Sequence, residues 1–252
     1  MPTRAQAQNL ARRLHGLASH PEIARKAAAR ELSERDPLEA TELIHHLLVL
    51  AREGSEPAHC VLATFITALQ HEAAQLPAAA SLRRLARIQA FDAVAALFPD
   101  SAPLQELDQR AAAKADAKAF SDSLGHLKTK ARLTRDPDEL SRIAMMSDAS
   151  VVKNALMNPR ITEPLVVRMA ARRPARPEPL LEIWKSPRWS ARHAVRRALV
   201  FNPYLPPDVS AKILPLLTRV DLEEIARSGS MHPDLREQAA RLLKPGELDP
   251  TL

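Results

Sequence analysis

One segment of the chain occurs twice, and this duplication constrains the fold more than any other feature. The sequence from Asn158 to Val166 returns 44 residues later, between Asn202 and Ser210, and each copy begins with an Asn-Pro pair followed by an apolar residue three places after the Asn. A period of 44 residues lies in the range of units built from two or three helices. Because such a unit cannot bury its apolar face alone, the pattern predicts consecutive units that stack on one another.

The composition predicts an all-α protein. Hydrophobic residues make up 46% of the chain and aromatic residues only 3%, so the core must consist mostly of alanine, leucine, valine and isoleucine. Alanine and leucine favour helices, and glycine is rare, with 5 residues. The 21 prolines stand mostly at the beginnings of segments, where the first turn of a helix accepts them. Long alternating runs of β-branched residues, which would indicate strands, are absent.

Residues 1–100 are predicted to form an N-terminal, bundle-like helical domain. Apolar residues recur at helical spacing, and the prolines Pro21, Pro37 and Pro57 mark the beginnings of successive helices. A further continuous helix is expected to end near Leu97. The short, punctuated connections between these helices favour antiparallel neighbours.

The repeated helices are expected in residues 138–246. Residues 101–137, which precede them, are rich in alanine and charge and are predicted to be a linker or an exposed helix. Each repeat begins with a short helix, and a second helix follows, which in the middle unit is expected to run from Ser190 to Phe201. The first two units add a third helix after the Asn-Pro pair. The first helices share a Leu, an Ile and a terminal Ser: Leu140, Ile143 and Ser147; Leu180, Ile183 and Ser186; Leu222, Ile225 and Ser228.

The segment from about Leu140 to Leu243 resembles the leucine-rich repeat variant, within the wider class of HEAT- and armadillo-like helical repeats. The resemblance is carried by Asp148, Ser186-Pro187, Val152, Val195 and the two Asn-Pro segments. The stretch Leu124 to Arg132, which runs into the repeats, is similar to uncharacterised bacterial helical-repeat proteins. The resemblance implies an α–α superhelix, or solenoid, that serves as a scaffold or binding surface. One member type holds an iron–sulfur cluster on a separate cysteine-rich segment that this sequence lacks, so no cofactor is implied.

Arginine is concentrated in the middle of these repeats. Between Arg160 and Arg197 there are ten basic residues and three acidic ones, whereas the whole chain has a net charge of +6. Two parallel rows of arginine on stacked helices would offer forked donors to carboxylates or phosphates. The alternative is a solvated face in which arginine stems cover apolar neighbours and the tryptophans lie in the core.

The spacing of these residues selects a candidate binding site. Arg188, Arg192 and Arg196 stand four residues apart and are expected to share one helix face, as are Arg168 and Arg172 on the preceding helix. Both tryptophans and the only tyrosine lie nearby and are candidate anchors for a partner. The predicted partner-binding residues are Arg168, Arg172, Arg188, Arg192, Arg196, Trp184, Trp189 and Tyr204.

The sequence predicts neither a metal site nor a catalytic site. Cys60 is the only cysteine and is expected to be a buried apolar residue, and His45 and His46 point about 100° apart on a helix and cannot chelate from one face. No Ser-His-Asp set or glycine-rich phosphate loop is present. An enzymatic alternative, base excision by analogy with HEAT-like DNA glycosylases, rests on three carboxylates: Asp221, Glu223 and Glu224.

The sequence therefore predicts a non-enzymatic, cytoplasmic helical-repeat scaffold that binds an acidic protein or peptide through the Arg-rich face. Binding of nucleic acid by the same face, driven by the release of counterions, is the alternative. No apolar run approaches the roughly 20 residues that span a bilayer, so membrane insertion is not expected. No metal is expected either.

Overall fold

The computed structural model of the protein describes residues 2–105 and 123–244. Within these ranges the regular structure is helical and includes no strand, which confirms the all-α prediction. None of the described helices is both long enough and apolar enough to cross a bilayer. The α-helices are α1 (Arg4–His15), α2 (Pro21–Ser33), α3 (Pro37–Arg52), α4 (Glu56–His71), α5 (Ala79–Ile88), α6 (Asp92–Ala95), α7 (Leu124–Leu133), α8 (Pro137–Ala144), α9 (Ala149–Leu156), α10 (Glu163–Ala170), α11 (Pro177–Lys185), α12 (Pro187–Ser190), α13 (His193–Val200), α14 (Pro207–Ile213), α15 (Arg219–Arg227) and α16 (Pro233–Leu242).

The chain divides into two compact units rather than the three predicted segments, and of the predicted boundaries only the one near residue 100 coincides with a division between units. Unit 1 comprises Met1–Ser101 and Pro207–Leu252, and unit 2 comprises Ala102–Pro206. The last predicted repeat therefore belongs with the first hundred residues. One link within unit 1 is Arg52 at the end of α3, which donates a hydrogen bond of 3.2 Å to the carbonyl of Leu242 at the end of α16 and one of 3.3 Å to the carbonyl of Leu217 after α14.

Prolines and acidic caps begin several helices where the sequence predicts them. Pro21 and Pro37 open α2 and α3, and the carboxylate of Asp36 accepts hydrogen bonds from the first-turn amides of α3 at 2.8 and 3.0 Å. Such a cap satisfies donors that have no partner inside the helix. The predicted continuous helix that ends near Leu97 is wrong, because the chain breaks between α5 and α6 at Ala90, whose φ is +58°.

Unit 1 is built around α3 and α4. Helix α3 packs against α1, α4, α5 and α6, and large side chains such as Leu47 and Phe65 are fully buried. A helix that is apolar on nearly all sides is typical of a buried position. Even His45 lies in this core, where its ring stacks on Phe91 with 4.0 Å between the centroids.

Unit 2 contains two rows of helices. Helix α9 packs against both α7 and α11, and α10 packs against α13. On α10, Arg168 donates a 3.0 Å hydrogen bond to Ser141 on α8. We call α7, α9 and α11 the first row, and α8, α10 and α13 the second row. Short connections join the end of each first-row helix to the beginning of a second-row helix, and we call this side of the unit the first edge.

A buried amide holds the first Asn-Pro corner. Asn158 follows α9, and its Nδ2 donates to the carbonyls of Ala131 and Thr134 at the end of α7, both at 3.0 Å. Its Oδ1 accepts the backbone N–H of Arg160 at 2.8 Å. The side chain therefore joins the C-terminal ends of two neighbouring helices, which must run in the same direction.

The second corner repeats this arrangement in the other row. Asn202 follows α13, and its Nδ2 donates to the carbonyls of Ala170 and Arg172 at 2.7 and 2.9 Å, while its Oδ1 accepts the N–H of Tyr204 at 3.1 Å. These bonds join residues 24 to 32 positions apart, a single helical hairpin. The 44-residue period thus relates a corner of the first row to the equivalent corner of the second row. Neighbouring helices within one row are joined at the shorter spacing of 24 to 32 residues.

The repeated apolar positions face the cores of the two units, as the sequence predicts. All six side chains are buried: Leu140, Ile143, Leu180, Ile183, Leu222 and Ile225. The predicted linker is corrected in part, because α7 lies within residues 101–137 and packs against α9 through the buried Leu127 and Ala131. The alanine-rich part of that linker, residues 106–122, lies outside the described residues.

Candidate functional site

Positive charge is concentrated in unit 2. Its described residues, 123–206, include 16 lysines and arginines and 7 aspartates and glutamates, an excess of nine positive charges against +6 for the whole chain. A surface with this imbalance attracts anionic partners. The question is therefore which of these cations lie together on the surface and which are used inside the fold.

The predicted row of Arg188, Arg192 and Arg196 is not formed, because the helix expected from Ser190 to Phe201 is interrupted. Helix α12 ends at Ser190, and α13 begins only after Arg192. The Nε of Arg196 donates a 2.6 Å hydrogen bond to the carbonyl of Ser190, so this half-buried guanidinium closes the end of α12. Of the three arginines in this predicted row, only Arg188 and Arg192 are exposed.

The predicted pair on α10 is also divided. Arg168 is exposed beside Ser141, whereas Arg172 is half-buried and donates to the carbonyl of Met145 after α8. The adjacent Arg173 donates to the carbonyl of Phe201 after α13. Cations at the C-terminal ends of helices satisfy carbonyls and oppose the helix dipole. Arg172 therefore has a structural role, on the side of unit 2 where second-row helices end.

The aromatic residues are not exposed anchors. Trp184 and Trp189 are 2% and 3% exposed, as in the alternative that places them in the core. The indole Nε1 of Trp189 donates a 3.2 Å hydrogen bond to the carbonyl of Leu156 at the end of α9. Tyr204 is half-buried beside the second Asn-Pro corner. A large aromatic ring fills the space between short helices, and its burial there stabilises the fold through the apolar surface that it removes from water.

The first edge brings together other cations. The guanidinium of Arg188 lies 4.5 Å from the ring centroid of Trp189, which in turn is bound to the end of α9. Arg160 follows that end, and Asn158 joins it to the end of α7. We call the exposed cations along this side the cationic edge: Arg132, Arg135, Arg160, Lys185, Arg188 and Arg192.

Few acids oppose this cationic edge. Arg192 lies 3.9 Å from Glu163, and Lys185 lies 3.1 Å from Glu182. Among residues 2–105 and 123–244, no carboxylate forms an ion pair with the other four members. Glu139, near the beginning of α8, accepts a hydrogen bond from the Thr134 hydroxyl and pairs with a lysine of α7 at 3.1 Å. That hydroxyl and that lysine hold the pKa of Glu139 below its ordinary value.

The predicted site does not include Arg132 and Arg135, because the sequence assigns them to a linker or an exposed helix. The signal that identifies them is their position at the end of α7, since lysine and arginine favour the last turns of helices. Their proximity to Arg160 depends on the side chain of Asn158, which reaches 24 and 27 residues back along the chain. No local pattern shows that contact.

The histidine and cysteine residues considered for metal binding do not lie together in a metal site. No group of three potential metal ligands was found among the described residues. His45 is buried against Phe91, and Cys60 is half-buried on α4, where full burial was expected. The thiol is therefore more accessible than the sequence indicates.

The carboxylates considered for base excision form ordinary helix contacts. Asp221 is buried and caps α15 together with Thr218, whose hydroxyl lies 2.5 Å from its Oδ2. Glu223 forms ion pairs with Arg219 at 3.1 Å and with Arg227 at 3.7 Å. The contacts of Asp221 are those of a helix cap, and those of Glu223 are ion pairs along one helix.

The cationic edge is a surface suited to recognition of an anion. Each guanidinium presents a planar fork of donors that matches a carboxylate in two hydrogen bonds. Comparisons of the chain with protein-family models, with curated proteins and with solved structures found no match. What this surface does must therefore be inferred from its own geometry and charge.

Proposed function

We propose that the protein is a non-enzymatic helical-repeat scaffold that binds an acidic protein or peptide through unit 2. The observation that carries the proposal is the cationic edge, where six exposed cations lie at or after the ends of three neighbouring helices. Parallel helices joined every 24 to 32 residues support an α–α superhelix of the HEAT-like kind, resembling the leucine-rich repeat variant. Such repeats offer extended surfaces built from successive units.

The distribution of aromatic residues favours a protein partner. Proteins that bind single-stranded nucleic acid stack bases on exposed aromatic rings, and both tryptophans of unit 2 are buried. The arginine-rich composition of the edge suits carboxylates, which guanidinium forks bind in two hydrogen bonds. Nucleic-acid binding remains the second candidate because the excess of nine positive charges in residues 123–206 also suits phosphates.

A salt titration of the full-length protein separates these candidates. Fluorescence anisotropy would measure binding of a poly-glutamate peptide, a DNA duplex and a single-stranded RNA of matched total charge. We expect poly-glutamate to bind more tightly than either nucleic acid at every salt concentration. Tighter binding of DNA or RNA, with an affinity that falls log-linearly with salt, would establish the second candidate instead. Absence of poly-glutamate binding at low salt would contradict the proposed function.

A further inference from the structure

Two large apolar side chains are exposed at the cationic edge. Leu133, the last residue of α7, is 68% exposed, and Met157, the first residue after α9, is 48% exposed. A single exposed apolar residue is ordinary on a protein surface. These two residues lie at the ends of neighbouring helices and could therefore form one apolar contact surface.

The first Asn-Pro corner fixes that proximity. Asn158, directly after Met157, is bound to the carbonyls of Ala131 and Thr134 at 3.0 Å each, on either side of Leu133 in the sequence. Packed helices lie about 8–10 Å apart between their axes. One bound segment is therefore able to contact both exposed side chains.

Cations flank this apolar pair on both helices. Arg132 and Arg135 lie on either side of Leu133 in the sequence, and Arg160 follows Met157 after three residues. All three arginines are exposed. These exposed arginines, close in sequence to the apolar pair, suit the polar rim that surrounds the apolar centre of a protein interface.

Arg188 extends the same surface toward α11. Its position over Trp189, and the bond from Trp189 to the carbonyl of Leu156, place it beside the end of α9. Two acids that are close in sequence have other partners: Asp136 caps α8 by accepting the N–H of residue 138 at 2.9 Å, and Glu139 is bound to a hydroxyl and a lysine.

We infer that this part of the cationic edge binds an acidic segment that also carries aliphatic side chains. The inference rests on the proposed function and specifies the chemistry of its partner. Carboxylates of the segment would pair with the flanking guanidiniums, and its aliphatic groups would cover Leu133 and Met157. Methionine adapts its shape to varied apolar ligands. Charge then contributes orientation and association rate, while the apolar contact contributes affinity.

The test uses two synthetic glutamate-rich peptides of equal charge and length. One has leucine at every fourth position, and the other has serine at those positions. We expect the leucine peptide to bind the full-length protein about tenfold more tightly, which corresponds to partial burial of apolar side chains on both partners. In the variant Leu133→Ser/Met157→Ser that ratio is expected to fall to about one, with the affinity for the serine peptide unchanged.

The matched control removes exposed apolar residues from unit 1. Ile88 and Val220 are 69% and 73% exposed, so the variant Ile88→Ser/Val220→Ser loses comparable surface and should keep the wild-type ratio. Circular dichroism would verify that both variants are folded.

Four outcomes would overturn the inference. Equal affinity of the wild type for the two peptides would overturn it, as would an affinity ratio that is unchanged in Leu133→Ser/Met157→Ser. In both cases, binding of the serine peptide would still support the proposed function. Failure of both peptides to bind would contradict the proposed function as well. A preference for a charge-matched DNA duplex, insensitive to Leu133→Ser/Met157→Ser, would identify the edge as a phosphate-binding surface.

Discussion

The two units of this protein differ in the length of their helices and in the side chains that join those helices. In unit 1, α3 and α4 have 16 residues each and bury large apolar groups on most sides. In unit 2, α8, α9 and α10 have only 8 residues each, too short to be stable alone. Buried amides, an indole and guanidiniums join the ends of these short helices. Polar side chains that bind helix ends therefore supplement the apolar core of unit 2, whereas unit 1 depends mainly on its long apolar helices.

The units also differ in charge. Unit 1 has 17 basic and 19 acidic residues, whereas unit 2 has 19 basic and 11 acidic ones. Cations favour the C-terminal ends of helices, and unit 2 has many such ends. Some of its arginines, such as Arg172, are used on carbonyls inside the fold, and others, such as Arg160, remain exposed for a partner.

The largest expected effect is on the apolar core of unit 1. Phe65→Ala removes a fully buried ring from α4 and is expected to lower the free energy of unfolding by about 3–5 kcal/mol. Hydrogen exchange should become faster throughout α3 and α4. Ile23→Ala, at an exposed position of α2, is the matched control and should change the free energy by less than about 0.5 kcal/mol. Equal losses in the two variants would contradict a stable apolar centre in unit 1.

The next effect concerns the polar links of unit 2. Asn158→Ala removes two hydrogen bonds to helix-end carbonyls and is expected to cost about 2 kcal/mol, since those buried acceptors lose their partner. Amides of α7 and α9 should exchange faster, with α3 and α4 unaffected. Asn154→Ala is the control, because its amide bonds only within α9, to the carbonyl of Ser150 at 2.8 Å. A loss at Asn154 as large as that at Asn158 would refute the special role of the corner.

A smaller effect depends on pH. Burial acts to raise the pKa of Asp148, but hydrogen bonds from Ser150 and Val151 outweigh it and leave the pKa below its ordinary value. The carboxylate therefore stabilises α9 above the unfolded pKa of about 4, and this stabilisation is lost as the pH falls through the lower folded pKa. Asp148→Asn keeps a capping side chain but removes the negative charge at the N-terminal end of α9, and should cost about 1 kcal/mol at neutral pH.

Urea unfolding between neutral pH and the acid limit would measure the Asp148 effect. The difference between the wild type and Asp148→Asn should shrink as the pH falls below the unfolded value. A difference that is constant over the whole range would show that the ionised carboxylate is not the stabilising group.

The smallest expected effect is the difference in stability between a variant of a structural arginine and a variant of an exposed one. Arg196→Glu breaks the bond to the carbonyl of Ser190 and is expected to cost about 1 kcal/mol. Arg192→Glu, at an exposed position with a weak ion pair, should cost about 0.5 kcal/mol or less. Thermal unfolding of the two single variants would measure the difference. An equal loss of stability in both variants would contradict the conclusion that Arg196 is structural and Arg192 is not.

Local signals in the sequence predict much of the fold. Capping residues and prolines such as Asp36 and Pro37 locate helix beginnings, and apolar spacing identifies core positions such as Leu180 and Ile183. These features depend on residues within one or two turns of each other. The candidate site was harder to predict, because the role of an arginine depends on distant neighbours. Arg172 is structural since a free carbonyl lies 27 residues away in sequence and beside it in space.

Charge reversal at the edge tests the central claim most directly, namely that the cationic edge of unit 2 holds the acidic partner. Arg160→Glu/Arg188→Glu would be compared with Arg12→Glu/Arg84→Glu, which makes the same change in net charge at exposed positions of unit 1. We predict that the first variant weakens poly-glutamate binding at least about tenfold and the second less than about twofold, since only the first changes charges that contact the partner. Equal losses in the two variants, or no loss in the first, would contradict the claim.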